Sequence, residues 1–341
     1  MNVERISLST WDDKLEGTDY RVFHQPDVLT VLEDHADGGE LRLYGGFKGD
    51  HLVGLLPVFV KRSALGAKIV SSPPPGMHVP HLGPLVMPTS PKVRKCERVN
   101  QKFTEGVLEE LGIDSRSLVF VVCSPEYADP RPYKWNDLAV DVSFTYDVPI
   151  GDRDPEEILR DFSKSRRREI REGEKLDLTV ETGDIADAKR IYEQTQERFA
   201  DQDEYFGLTW PFVRDVIEAL DGRCRVYVAR DSDGEFLTGI VVLYSSDAGS
   251  FWLGGVRTTC EGVSMNSLIH WAIIRDIAAD PELDDINKYD MVGAGEYRLS
   301  RFKSKFAPDL RPYYVVNSGG MKMRAAESAY KFLKRTGMVW R

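Results

Sequence analysis

The chain has 341 residues, 42% of them hydrophobic and 29% charged, and a formal net charge of −10. That length suits two average domains, and the acidic balance repels nucleic-acid phosphates and anionic membrane, which argues against a general nucleic-acid coat. The four cysteines, Cys96, Cys123, Cys224 and Cys260, lie far apart with no C-x-x-C pair. This is neither a disulfide framework nor a zinc ribbon, and it suits a reducing compartment.

The opening "MNVERISLSTWDDKLEGTDY" lacks the apolar core of a signal peptide, and no run reaches membrane-spanning length. The expectation is a cytoplasmic protein with no membrane insertion. A helix is predicted near 26–36, a β-hairpin in "RLYGGFKGDHLVGLLPV" (42–58), a helix near 92–112 and a strand in "SLVFVVC". Between hairpin and helix, the loop "PPPGMHVPHLGPL" carries His78 and His81. An H-x-x-H without a third ligand nearby is a poor metal site, so no metal is expected. In that Pro- and Gly-rich loop His81 is a candidate for lining a substrate pocket.

Asp154-Pro155-Glu156-Glu157 combines a capping Asp, Pro at the first helical position and acidic residues in the first turn. It predicts one basic helix over 155–173, closed by Gly173, with domains at 1–150 and 151–341. Apolar residues at helical spacing predict helices over 185–199 and 211–220. A second hairpin follows in "RVYVARDSDGEFLTGIVVL" (225–243), then a strand in "SFWLGGV", a helix over 265–279, and strands in "KYDMVG" and "PYYVV".

The two hairpins repeat one another. Arg42, Tyr44 and Gly54 fall against Arg225, Tyr227 and Gly239, with two extra residues in the second turn. The architecture read from this is α/β (α+β): two tandem domains, each a mixed, mostly antiparallel sheet flanked by helices.

That order of elements resembles the GNAT fold of acyl-CoA N-acyltransferases, and two such units joined by a basic helix resemble the Fem-type peptidyltransferases and their FemAB-like acyltransferase relatives. Three stretches carry the resemblance: "FTYDVPIGDRDPEEILRDFSKSRRREIREGEKLDLTV", "FWLGGVRTTCEGVSMNSLIHWAIIRDIA" and the Phe-Lys-x-x-Phe of "RLSRFKSKFAPDLRPYYVV". It spans about residues 140 to 315. The resemblance implies a cytoplasmic acyltransferase without a tightly bound cofactor. Its acceptor would be a primary amine on a small or nucleotide-linked cell-envelope precursor. Acyl-CoA is the favoured co-substrate, with aminoacyl-tRNA as the alternative donor. Rival readings are a noncatalytic module that binds an anionic ligand, and a nucleic-acid binder built on Arg166 to Arg171.

The resemblance also nominates residues. In a GNAT unit the turn after the fourth strand presents backbone N–H groups to a pyrophosphate, which assigns Val256, Arg257 and Gly262 to the cofactor. Cys260 stands where that turn ordinarily has its first Gly. In Fem-type enzymes an arginine of the linking helix helps hold a diphosphate, which nominates Arg167, Arg168 and Arg171. Interleaved Glu169, Glu172 and Glu174 equally suit a solvated helix with i, i+4 pairs. Lys303, in the Phe-Lys motif, is the candidate cation for charge developing during acyl transfer; Lys305 is the lesser candidate. Both also suit surface lysines that snorkel to water. Asp290 and Tyr313 are the candidate base and acid. His270 is expected to be a satisfied core residue.

Overall fold

The computed structural model describes residues 1–319 except Gly17, Ala64, Leu65, Tyr205 and Asp221; the end of the second expected domain, 320–341, lies outside the described residues. The chain forms two compact units, one of Met1–Ser143 with the segment from Pro312 onwards, the other of Phe144–Arg311. The elements in chain order are β1 (Asn2–Ile6), α1 (Leu8–Leu15), α2 (Pro26–His35), β2 (Glu40–Lys48), β3 (His51–Arg62), β4 (Lys68–Ser72), β5 (Leu85–Val86), α3 (Val93–Glu110), β6 (Leu118–Val122), α4 (Arg131–Trp135) and β7 (Ala139–Pro149). They continue with α5 (Pro155–Asp161), α6 (Lys164–Gly173), β8 (Thr179–Gly183), α7 (Ile185–Asp201), α8 (Trp210–Ala219), β9 (Cys224–Arg230), β10 (Phe236–Tyr244), β11 (Ala248–Gly254), β12 (Thr259–Cys260), β13 (Val263–Ser264), α9 (Met265–Ala279), β14 (Lys288–Asp290), α10 (Tyr297–Lys303) and β15 (Asp309–Asn317). Both units are mostly antiparallel sheets flanked by helices, as expected.

The two sheets follow one plan. In the first unit β1, β2, β3 and β4 pair antiparallel in turn, β6 joins β4 in parallel, and Val315–Asn317 of β15 close the run antiparallel to β6. In the second, β8, β9, β10 and β11 are antiparallel, β14 joins β11 in parallel, and Asp147–Pro149 of β7 pair antiparallel with β14. Each unit therefore takes its last strand from the far end of the other half of the sequence. The division falls at Phe144 and again at Pro312, where the sequence placed one boundary at 150.

The repeated hairpins are β2–β3 and β9–β10. Tyr44 packs on Phe103 and Val107 of α3, and Tyr227 packs in the cluster beneath α9, so each tyrosine faces the helix that follows its unit's fourth strand. The glycines do not correspond. A Cβ on Gly54 would meet Phe103 of α3, on Tyr44's face, whereas one on Gly239 would meet Ile191 of α7, on the opposite face from Tyr227. Tyr44 pairs with Leu56, two residues past Gly54, but Tyr227 pairs with Ile240, one residue past Gly239, and a one-residue slip reverses the face.

The basic helix is also different from expectation. It is broken into α5 and α6, and Ser163 starts the second piece by accepting from the Arg166 N–H. Phe162 at the break is buried between Trp271 and Phe306, ring centroids 5.7 and 5.3 Å away. Burying a phenylalanine stabilises by about 1.5–3 kcal/mol, against about 1 kcal/mol net for a helical hydrogen bond. The Ser163 N–H recovers one such bond from the Lys305 carbonyl, 3.0 Å away.

Candidate active site in the second unit

Lys303 ends α10 and is buried. Its Nζ donates to the carbonyl oxygens of Val292 and, at 2.9 Å, Gly293. Those carbonyls face inward because Val292 and Gly293 adopt left-handed φ of 50° and 73°. Such a φ is a genuine outlier for β-branched valine, of the kind that clusters at functional sites. Asp290, fully buried at the end of β14, holds the same loop: its Oδ1 accepts from the Val292 N–H at 2.8 Å and from the Thr145 hydroxyl at 2.5 Å. Burial pulls the Lys303 ammonium down to about 8, with the charges of Asp290 and Glu296 opposing. An ammonium near 8 is still protonated at neutral pH. Lys303 is therefore a fixed, buried cation, and Lys305 is the exposed one of the pair.

Behind Lys303 lies a charged group that helix-face counting passed over. Arg166 on α6 is buried, and its guanidinium sits 4.5 Å from the centroid of Phe302 and 4.4 Å from that of Phe306. It donates to Glu169 at 2.6 Å and to the Ser267 hydroxyl on α9. The second Glu169 oxygen accepts from the Ser264 N–H at 3.2 Å. Arg166, Ile170 and Gly173 are the three buried residues of α6, at i, i+4 and i+7, so the arginine heads an apolar stripe, and that stripe was legible in sequence. His270, as expected, is a core residue: its Nδ1 meets the Tyr289 hydroxyl at 3.0 Å. Burial, then the charges of Lys303 and Arg166, hold its imidazole well below the usual histidine range.

The other nominated residues are placed as follows. Arg168 is exposed and pairs with Glu172 at 3.2 Å, Arg171 is exposed, and Arg167 donates to the Arg160 carbonyl. Val256 has its N–H on Gln194 at 3.1 Å and its carbonyl on the Thr238 hydroxyl at 2.9 Å. The segment after it closes as the small hairpin β12–β13, with Glu261 and Gly262 at φ 49° and 82° in the turn. Gly262 is thus required by the turn itself, as two-residue hairpin turns of this hand require. At the head of α9 the Ser264 N–H is taken by Glu169 and that of Met265 by the Thr258 carbonyl at 2.9 Å. The backbone donors of Val256, Ser264 and Met265 are thus engaged within the chain, while the Arg257 side chain is exposed.

Tyr313 and His81 both belong to the first unit, where their rings meet edge-on with centroids 4.6 Å apart. The same unit has a cavity of about 540 Å³ whose lining includes Pro84 and Leu85 from the His81 loop, together with Glu126 and Asp129; His81 itself is not in the wall.

Residues 160–304 match the family model described as an acetyltransferase (GNAT) domain. No curated protein matches the chain in sequence. Among solved structures, FemX superposes with a TM-score of 0.68 at 10% identity, covering 92% of this chain and 97% of that one. L-PGS from Bacillus licheniformis gives 0.53 at 13% identity, with 92% of each chain covered. A tandem GNAT protein from the clavulanic acid biosynthesis pathway gives 0.50 at 12% identity, covering 94% of this chain and 99% of that one. At such identities the likeness is one of fold.

Proposed function

We propose, on the premise that the chain is an acyltransferase of the GNAT superfamily with a Fem-like fold, that it moves an acyl group from acyl-CoA to a primary amine. The acceptor would be a small or nucleotide-linked cell-envelope precursor. The observation that carries this reading is Lys303, a buried ammonium fixed by the Val292 and Gly293 carbonyls and still charged at neutral pH. Two of its three N–H bonds are occupied, which leaves one for a substrate oxygen.

In the reaction the neutral amine nitrogen attacks the acyl carbonyl carbon, and the oxygen gains negative charge. The remaining Lys303 N–H stabilises that oxygen in a site largely closed to water, where one such donor contributes about 3–4 kcal/mol to the barrier. Collapse breaks the carbon–sulfur bond, and the leaving thiolate takes up the equivalent of the proton the amine has lost. Asp290 acts through Lys303: its charge helps keep the ammonium protonated, and its bond to the Val292 N–H fixes the loop that orients Nζ. Arg168 and Arg171, exposed on α6, would meet an acceptor's phosphates; their joint replacement by Ala would raise KM for such an acceptor and leave kcat unchanged.

An aminoacyl-tRNA donor is the second reading, the alternative that the Fem-type resemblance of the sequence implies. The test is thiol release from acetyl-CoA and longer acyl-CoAs with a panel of primary amines, run beside transfer from aminoacyl-tRNA. Transfer that Lys303→Met lowers about 100- to 1,000-fold supports the reading. A Lys303→Met protein as active as the parent, or no transfer from either donor, overturns it.

A further inference from the structure

The cavity of about 540 Å³ in the first unit takes its walls from four places in the chain: Asp19 before α2, the segment 84–88 around β5, the first half of α3, and the segment that leads from β6 into α4. Its size and make-up are those of a small-molecule site, with Leu85, Val86, Met87 and Val93 as an apolar wall and a few polar groups among them. Those polar groups are mainly acidic. Asp19, Glu97, Glu126 and Asp129 stand against Arg131, the single basic residue of the lining. Arg131 is already committed to Glu97 at 2.6 Å and Asp129 at 2.7 Å, and Glu126 pairs at 2.7 Å with the buried Arg21, which lies outside the lining. Asp19 makes no ion pair among the described residues. Four carboxylates against two guanidinium groups leave the wall negative, and the hydrogen bond from Arg131 holds the Asp129 carboxyl below the usual carboxylate range.

Ser124 points to a ligand independently of that charge. It is 1% exposed, and its hydroxyl, unpartnered among the described residues, keeps open surface on the cavity. A buried hydroxyl without a partner is costly, and natural structures keep few of them. Asn100, buried in the same wall, has both ends used instead: its Nδ2 donates to the Asp129 carbonyl at 2.7 Å and its Oδ1 accepts from the Tyr127 hydroxyl at 3.0 Å. The negative wall repels an anion, and among the described residues no group of these acids is placed to hold a metal ion. We propose that the cavity is a binding site for a small amphipathic amine in its ammonium form. Its hydrocarbon chain lies on Leu85, Val86 and Met87, and an ammonium N–H donates to the Ser124 hydroxyl in the field of the carboxylates.

The experiment is calorimetric titration of the full chain with hexylammonium chloride at neutral pH, beside hexanol and sodium hexanoate, repeated on Ser124→Ala and Glu97→Gln. Hexylammonium is expected to bind saturably and more tightly than hexanol, hexanoate not to bind, and added salt to weaken hexylammonium binding. Ser124→Ala should lose about tenfold in affinity, as for a hydrogen bond to a charged group. Glu97→Gln should lose several-fold; its side chain is 40% exposed, so it decides the matter if Ser124→Ala does not fold. Hexanol binding as tightly as hexylammonium reduces the cavity to an apolar crevice and overturns the proposal. Absence of saturable hexylammonium binding overturns it too, as does binding that neither variant weakens, which puts the ligand elsewhere. The site does not rest on the transfer reading: Lys303→Met should bind hexylammonium as the parent does while losing transfer, so the two fail separately.

Discussion

The guanidinium of Arg166 lies 4.4 Å from the centroid of Phe306 and donates to Glu169 at 2.6 Å. The two partners are unequally placed, since the Arg166 side chain is 1% exposed and that of Glu169 is 26% exposed. Removing the carboxylate strands a buried cation and frees the Ser264 N–H, whereas removing the arginine lets Glu169 rehydrate. Glu169→Ala is expected to cost about 3–5 kcal/mol, the usual range for breaking a buried pair. Arg166→Met, which keeps packing against the two phenylalanines, should cost clearly less. Urea denaturation of both variants decides the order, and a cheaper Glu169→Ala removes the argument.

Lys303 links activity and stability to pH in opposite senses. Its ammonium is depressed to about 8 in the folded chain, against an ordinary value near 10.5. Between those values the unfolded chain binds the extra proton, so stability relative to Lys303→Met should rise with pH from about 8 to 10.5, by at most about 1.4 kcal/mol per pH unit. Transfer needs the charged form, so kcat should fall through the same window in the parent. Parallel melting and rate profiles check this; a flat stability difference between parent and variant above pH 8 contradicts it.

His270 gives an acid limit. Its folded value lies well below 6.5, so below that pH the unfolded chain takes up a proton that the folded chain excludes. Stability present above 6.5 is therefore lost as pH falls through 6.5 and below. His24 in the first unit, also buried and lowered to about 4, adds the same sign between 6.5 and 4. His270→Gln should flatten the fall in melting temperature between pH 6.5 and 5; an unchanged slope argues against a neutral buried His270.

The hairpin glycines should differ in cost. A Cβ at Gly239 would stand 2.6 Å from the Tyr227 carbonyl oxygen, which is backbone, as well as 2.5 Å from Ile191. At Gly54 the nearest atoms, at 2.8 Å, all belong to the Phe103 ring. A ring can turn aside more readily than a paired strand can move. Gly239→Ala is expected to destabilise by about 1–3 kcal/mol and Gly54→Ala by less, measured by thermal unfolding.

Much of this was legible before the structure. Alternation and helical spacing located α2, α3, α7, α8 and α9 and both hairpins, because period-2 and period-3.6 patterns are local. The face of Gly239 was not legible, because cross-strand register depends on where the bulges fall, after Gly46 in one hairpin and between Phe236 and Thr238 in the other. The break at Phe162 depended on a tertiary cavity between Trp271 and Phe306. Lys303 stood out from its aromatic neighbours and motif. Arg166 was passed over, although counting the three successive arginines against Ile170 and Gly173 puts Arg166, at i, i+4 and i+7, on the buried stripe.

The exchange of closing strands bears on how the polypeptide can be handled and made. A cut at 150 yields an N-terminal fragment whose β6 lacks β15 and a C-terminal fragment whose β14 lacks β7, each with a bared row of N–H and C=O groups open to another chain. Fragments split there should aggregate, and mixing them should rescue solubility. On the ribosome the order is likewise constrained: Phe144–Arg311 is contiguous and can close as it emerges, while the unit that begins at Met1 waits for Val315–Asn317, synthesised after the whole of Phe144–Arg311. The first half made is the second to be finished.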